Sequence, residues 1–150
     1  WPSLCFNNVA HGSAFPYLFW DADLSSENLR LNWSGADLIE GNRTISYLES
    51  RLDQIGFNAK EKADFITYWG PRIQKMPYAE ILWMQNESID EIASLEITPT
   101  FKTNRIYLIF RETGQPIEQL FHIGTQLLLP INRSGNYLVE WGGIEVKSTL

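Results

Sequence analysis

The chain has 150 residues, a 44% apolar fraction and a net charge of −6, enough for one domain with a real core. The acidic balance, with a pI near 4.9 and no basic run, argues against nucleic acid and against anionic membrane surfaces as partners. No apolar stretch approaches the length of a membrane helix, so no membrane span is expected. The chain opens on Trp1 rather than Met, which reads as processed or excerpted sequence. The lone Cys5 has no internal disulfide partner and reads as a small unreactive thiol.

Residues 1–14 show no period and read as an N-terminal arm. Residues 15–150 read as a single α+β domain. Phe15 to Asp21 is a short aromatic run of strand type. The polar stretch that follows contains a possible short strand at Leu29 to Trp33 and another at Ala36 to Glu40. Asn42 or Thr44 then caps a helix running to about residue 55, with Ile45, Leu48, Leu52 and Ile55 on one face. Glu49, Ser50, Arg51 and Asp53 are assigned to its outer face. Gly56 stands where a left-handed C-terminal cap belongs.

A second helix is expected over about 58–75. Asn58 and Glu61 stand three apart, the spacing of a capping box. Ala63, Phe65, Ile66 and Trp69 form the expected buried stripe, with Tyr68 on the flank. Gly70-Pro71 should end or kink this helix, with Ile73 marking one further turn. Tyr78 to Gln85 reads as a strand. A helical turn at Ile89 to Ile92 and an alternating strand at Ser94 to Thr98 follow. Arg105 to Arg111 is a nearly continuous apolar run with charged ends, as in a central strand. Ile117 to Ile123 and Gln126 to Leu129 read as two more strands, and Tyr137 to Trp141 as the last long one, with a bulge or bend at Gly142-Gly143. Segregated helices and strands predict a largely antiparallel sheet or sandwich covered by the two-helix pair.

The search for chemistry finds no catalytic residue, metal site or cofactor motif. His11 and His122 lie far apart without ligand-type neighbours. Gly-x-Ser-x-Gly and phosphate-loop patterns are absent. Two features remain. Tyr68, Trp69, Tyr78 and Trp83 belong to an aromatic group that would serve either as a ligand-stacking platform or as the core where a helix meets a sheet. Asn32, Asn42, Asn86 and Asn132 each begin an Asn-x-Ser/Thr sequon near a predicted turn, the pattern of a glycoprotein; turns also produce such triplets by composition alone.

Three segments resemble a known group. Gly56-Phe57-Asn58-x-Lys60-Glu61-x-x-Asp64-Phe65-Ile66-x-Tyr68-Trp69 with Pro71 and Pro77-Tyr78, then Arg105 to Phe110 with Pro116-Ile117-Glu118, then Val139-Glu140-Trp141-Gly142-Gly143 are similar to the core, central strand pair and closing strand of a family of microbial proteins that are secreted or displayed on the cell surface. Tyr17-Leu18-Phe19-Trp20 resembles its early aromatic strand. Gly70 and Met76 depart from that pattern. The resemblance implies an extracellular or cell-surface setting. It implies no activity, because none is established for the group. The expected function is therefore a non-enzymatic binding or interaction module with a protein partner. The alternatives are a structural subunit that self-assembles through the N-terminal arm, and a peptidase inhibitor presenting a loop such as Pro99 to Asn104.

Overall fold

The computed structural model describes residues 17–20, 31–114 and 126–147. The proposed arm, Cys5, His11, His122 and the expected strand at Ile117 to Ile123 lie outside the described residues. The fold is α+β: one mixed, mostly antiparallel four-stranded sheet with two packed helices.

Strand β1 spans Asp37–Glu40, and a short 3-10 turn leads from it into helix α1, Thr44–Ile55. No side chain caps α1. Its N-cap is Arg43, and the Thr44 hydroxyl donates backwards to Gly41 O at 2.7 Å. The expectation of an Asn42 or Thr44 cap is corrected accordingly: the 3-10 turn supplies the preceding carbonyl, and Thr44 donates to it instead of accepting from the helix. Gly56 ends α1 with φ +85, the left-handed conformation expected of a glycine cap, and its N–H returns to Leu52 O and Asp53 O.

Three residues later helix α2 begins and runs from Ala59 to Gln74. Its capping box is complete. The Glu61 N–H donates to Asn58 Oδ1 at 2.9 Å, and the Asn58 N–H donates to Glu61 Oε2 at 2.8 Å. Pro71 does not end the helix; it sits inside the last turns, and the helix runs on past Ile73. Of the expected stripe, Phe65 and Trp69 are buried, Ile66 is half-buried, and Ala63 is exposed. Ala63 is two residues before Phe65, so a helix turns it to the opposite flank.

Strand β2, Tyr78–Gln85, pairs antiparallel with β1. A one-turn helix α3, Glu87–Asp90, follows it. Strand β3, Lys102–Thr113, pairs antiparallel with β2 and parallel with strand β4, Tyr137–Glu145. The sheet order is β1-β2-β3-β4. Ser94 to Thr98 and Leu31 to Trp33 are not strands, and Tyr17 to Trp20 carries no strand pairing. Gln126 to Leu129 joins no ladder. It is part of a strap, residues 126–134, that leads toward β4.

The core lies between the helices and one sheet face. Leu48, Leu52, Ile55, Phe65, Trp69 and Ile73 meet Ile39, Ala79, Ile81, Trp83, Ile106, Leu108 and Phe110. The register places Trp83 opposite Leu108 and Ile81 opposite Phe110, so these side chains share the helix-facing surface. Phe65 is the hub. It stacks on Trp83 at 6.0 Å, meets Phe57 edge-on at 5.8 Å and touches Trp141 at 5.4 Å. Tyr107 and Ile109 point to the opposite face and are buried as well, which accounts for the unbroken apolar run of β3.

Trp69 lies directly on β4. A Cβ added at Gly143 would stand 2.8 Å from the Trp69 ring and 2.9 Å from Leu108 O. Substitution Gly143→Ala is therefore expected to cost about 1–3 kcal/mol through overpacking, read as a lowered urea midpoint with an unchanged slope.

Candidate functional site: an arginine–aromatic surface beside two buried ion-pair networks

The outer flank of α2 carries side chains at four-residue intervals, Lys60, Asp64, Tyr68 and Arg72, which stack along one line of the helix. Lys60 pairs with Asp64 at 2.5 Å, and this bond raises the Lys60 pKa. The Arg72 guanidinium lies 4.5 Å from the Tyr68 ring centre and 5.4 Å from that of Trp69. Tyr68 and Trp69 meet edge-on at 4.7 Å. The segment Tyr17 to Trp20 lies beside this line. Lys60 sits 5.3 Å over the Tyr17 ring, and Phe19 meets Tyr68 edge-on at 6.4 Å. Tyr17, Leu18 and Phe19 are 59%, 64% and 68% exposed, and Tyr68 is 42% exposed. Large apolar side chains gathered at one place on a surface mark contact sites more often than isolated ones do.

The four aromatics singled out from sequence are thus not gathered on one platform. Trp69 and Trp83 are core residues. Tyr68 is on the outer surface. Tyr78 lines a shallow open hollow of about 500 Å³ with Glu40, Asn42, Lys75 and Pro77. The sequon asparagines also differ in setting. Asn32 and Asn132 are exposed, and each side-chain oxygen accepts from the N–H of the serine two residues on, Ser34 at 3.0 Å and Ser134 at 3.1 Å. Asn42 is exposed in the 3-10 turn, beside a buried Thr44. Asn86 is half-buried, and its Oδ1 accepts from the Arg105 N–H at 3.1 Å. Among the described residues no cluster of three or more His, Cys, Asp or Glu has metal-binding geometry. No helix there is long and apolar enough to cross a membrane.

Two buried networks flank the sheet. On the helix side, the Tyr47 hydroxyl donates to Asp37 Oδ2 at 2.6 Å and accepts from Trp83 Nε1 at 2.9 Å. Arg51 lies 3.4 Å from the same carboxylate and donates to Gln126 O at 2.9 Å. Arg51 was assigned to the outer face of α1, yet it is buried. It stands three residues after Leu48 and four before Ile55, so the spacing itself places it on the apolar stripe. Burial, then the neighbouring Asp37 charge, pushes the Tyr47 phenol well above its ordinary pKa.

On the other face, Arg105 makes a two-armed pair with Glu140 on β4. Its Nη1 donates to Asp90 at 2.5 Å and to Ala93 O at 2.7 Å. The Tyr107 hydroxyl donates to Glu140 Oε1 at 2.9 Å, and Trp20 packs against the Tyr107 ring at 6.5 Å. Burial, followed by Glu140, raises the Tyr107 pKa. A charge at the head of an apolar strand signals the site, but no local pattern names Glu140 as its partner. The pairing comes from the parallel register that sets Arg105 opposite Glu140.

No protein-family model, curated protein or solved structure matches this chain.

Glu140→Ala strips Arg105 of its two-armed partner while Asp90 and the Ala93 carbonyl remain, and is expected to cost about 1.5–3 kcal/mol in urea unfolding, with Glu140→Gln costing less. A phenol whose folded pKa is raised contributes stability that is present below its unfolded pKa, near 10.0, and is lost as the pH rises through the folded value. Ultraviolet titration of the folded protein should therefore leave Tyr47 and Tyr107 un-ionised above the pH at which the urea-unfolded chain has formed its phenolates. Alkaline unfolding should release both at once.

Proposed function

We propose that this chain is a non-enzymatic binding module whose contact surface is the Tyr17–Phe19 segment with Tyr68 and Arg72, and whose partner is a protein. The observation that carries the reading is Arg72. It is exposed, its guanidinium carbon stands close to both the Tyr68 and the Trp69 ring, and it has no carboxylate partner among the described residues. A guanidinium held against aromatic rings, with no carboxylate of its own, keeps its N–H fork available for one. The surrounding rings supply apolar area with little rotamer entropy to lose. A protein surface that presents a carboxylate beside apolar side chains matches both features. The buried Asp, Glu and Arg groups are by contrast committed to one another, which argues for support rather than catalysis. The resemblance to secreted and surface-displayed microbial proteins supports an extracellular setting.

A photo-cross-linking residue at position 19 or 68, irradiated on intact cells of the source, should capture one predominant protein. The same residue at Glu49, on the outer face of α1, should capture none. Equal labelling at all three positions, or none at any, would sink the proposal, and capture of a second copy of this chain would transfer the surface to self-assembly. Phe19→Ser with Tyr68→Ser should abolish capture by a probe at position 18 while changing stability by no more than about 0.5 kcal/mol.

A further inference from the structure

In an antiparallel ladder the backbone groups of alternate residues point to opposite neighbours. The Asn86 N–H just past β2 reaches Arg105 O on β3 at 3.0 Å. The alternation then aims Leu82 and Met84 at β3, and Ala79, Ile81, Trp83 and Gln85 at the other side. β1 meets the first two of these, and its register stops at Asp37 opposite Ile81. Beyond that point no strand lies opposite Trp83 and Gln85 among the described residues.

Two side chains stand there instead. The Gln126 amide accepts from the Trp83 N–H at 3.1 Å and donates to Trp83 O at 3.3 Å. The Ser88 hydroxyl accepts from the Gln85 N–H at 3.1 Å and donates to Gln85 O at 2.9 Å. Each satisfies both backbone groups of one residue, as a neighbouring strand would. The strap that carries Gln126 is fixed in the same manner. The Gln85 amide holds both Leu129 N and Leu129 O at 2.8 Å, and Asn104 holds Asn132 N at 2.7 Å and Asn132 O at 3.1 Å. The sequence so covered, Leu82-Trp83-Met84-Gln85, is apolar, uncharged and free of proline, the type that pairs readily with another strand.

We propose that Ser88 and Gln126 are edge guards: they close the half of β2 that β1 leaves open and so prevent a second copy of this chain from adding a strand there. The guarding groups are uncharged side chains, so the edge is closed without a like-charge barrier on its surface.

The test is the double variant Ser88→Ala with Gln126→Met, which keeps the bulk of both side chains and removes their hydrogen bonds. The Trp83 and Gln85 amides are expected to exchange with solvent deuterium at least about tenfold faster. The weight-average mass in sedimentation equilibrium should climb with concentration relative to wild type. Gln126→Glu, which sets a charge at the edge, should follow wild type in mass. A double variant whose mass tracks wild type at every concentration, or whose two amides keep their protection, overturns the proposal. If that variant does not fold, wild-type exchange decides. Protection of Trp83 and Gln85 comparable to that of Leu82 and Met84 supports the guards, and exchange as fast as at the exposed Glu96 removes them.

Discussion

The structure depends on one constraint: β3 is buried on both faces along most of its length. A strand in that position has no water to solvate anything polar it carries. Its interior is accordingly Ile106 to Phe110, and its one buried cation, Arg105, is surrounded by Glu140, Asp90 and the Ala93 carbonyl. The same constraint explains the helix pair. A helix such as α1 or α2 gains little from its own hydrogen bonds, and each is held by the apolar stripe that it lays on the sheet. The aromatic hub at Phe65 is where those stripes meet.

The surroundings of β3 also divide the chemistry of the molecule. The two buried arginines beside the sheet, Arg51 and Arg105, are each paired with carboxylates. Large apolar side chains are exposed on the outer line of α2 and on the segment lying beside it, and also at Leu127, Leu129 and Tyr137. Helix α2 thus divides its residues between the core and the surface. Phe65 and Trp69 face inward, while Tyr68 and Arg72 face outward.

The elements with local signals were legible in the sequence. The capping box at Asn58 and Glu61, the glycine stop at Gly56, the apolar run of β3 and the strand at Tyr78 to Gln85 are each written within a few neighbouring residues. What sequence did not reveal depends on partners distant along the chain. Arg51 looked like a surface residue because its carboxylate, Asp37, belongs to another element. Gln126 to Leu129 looked like a strand because its residues suit one; its hydrogen bonds run instead to the side chains of Gln85 and the backbone of Trp83. The parallel sense of β4 could not be read from residues 137–145, since direction is set by the route of the connection and not by strand composition. Tyr68, Trp69, Tyr78 and Trp83 share a composition signal, yet an aromatic residue has the same letter whether it is buried or displayed.

That route also ties the last strand to the helical corner. β1 pairs with β2 across the two helices, and β2 pairs with β3 across α3. β4 pairs in parallel with a strand that ended at Thr113, and the chain must travel from there to Tyr137 before the first rung can close. Part of that path is pinned at the helical corner, where Ile131 N–H donates to Ile55 O and Arg133 grips Glu61 and Gly56 O. Closing such a loop costs entropy, and those anchors shorten the stretch that is left to order. The corner between α1 and α2 thus serves the far edge of the sheet as well as the core, because it holds the strap that delivers β4 to its place beside β3.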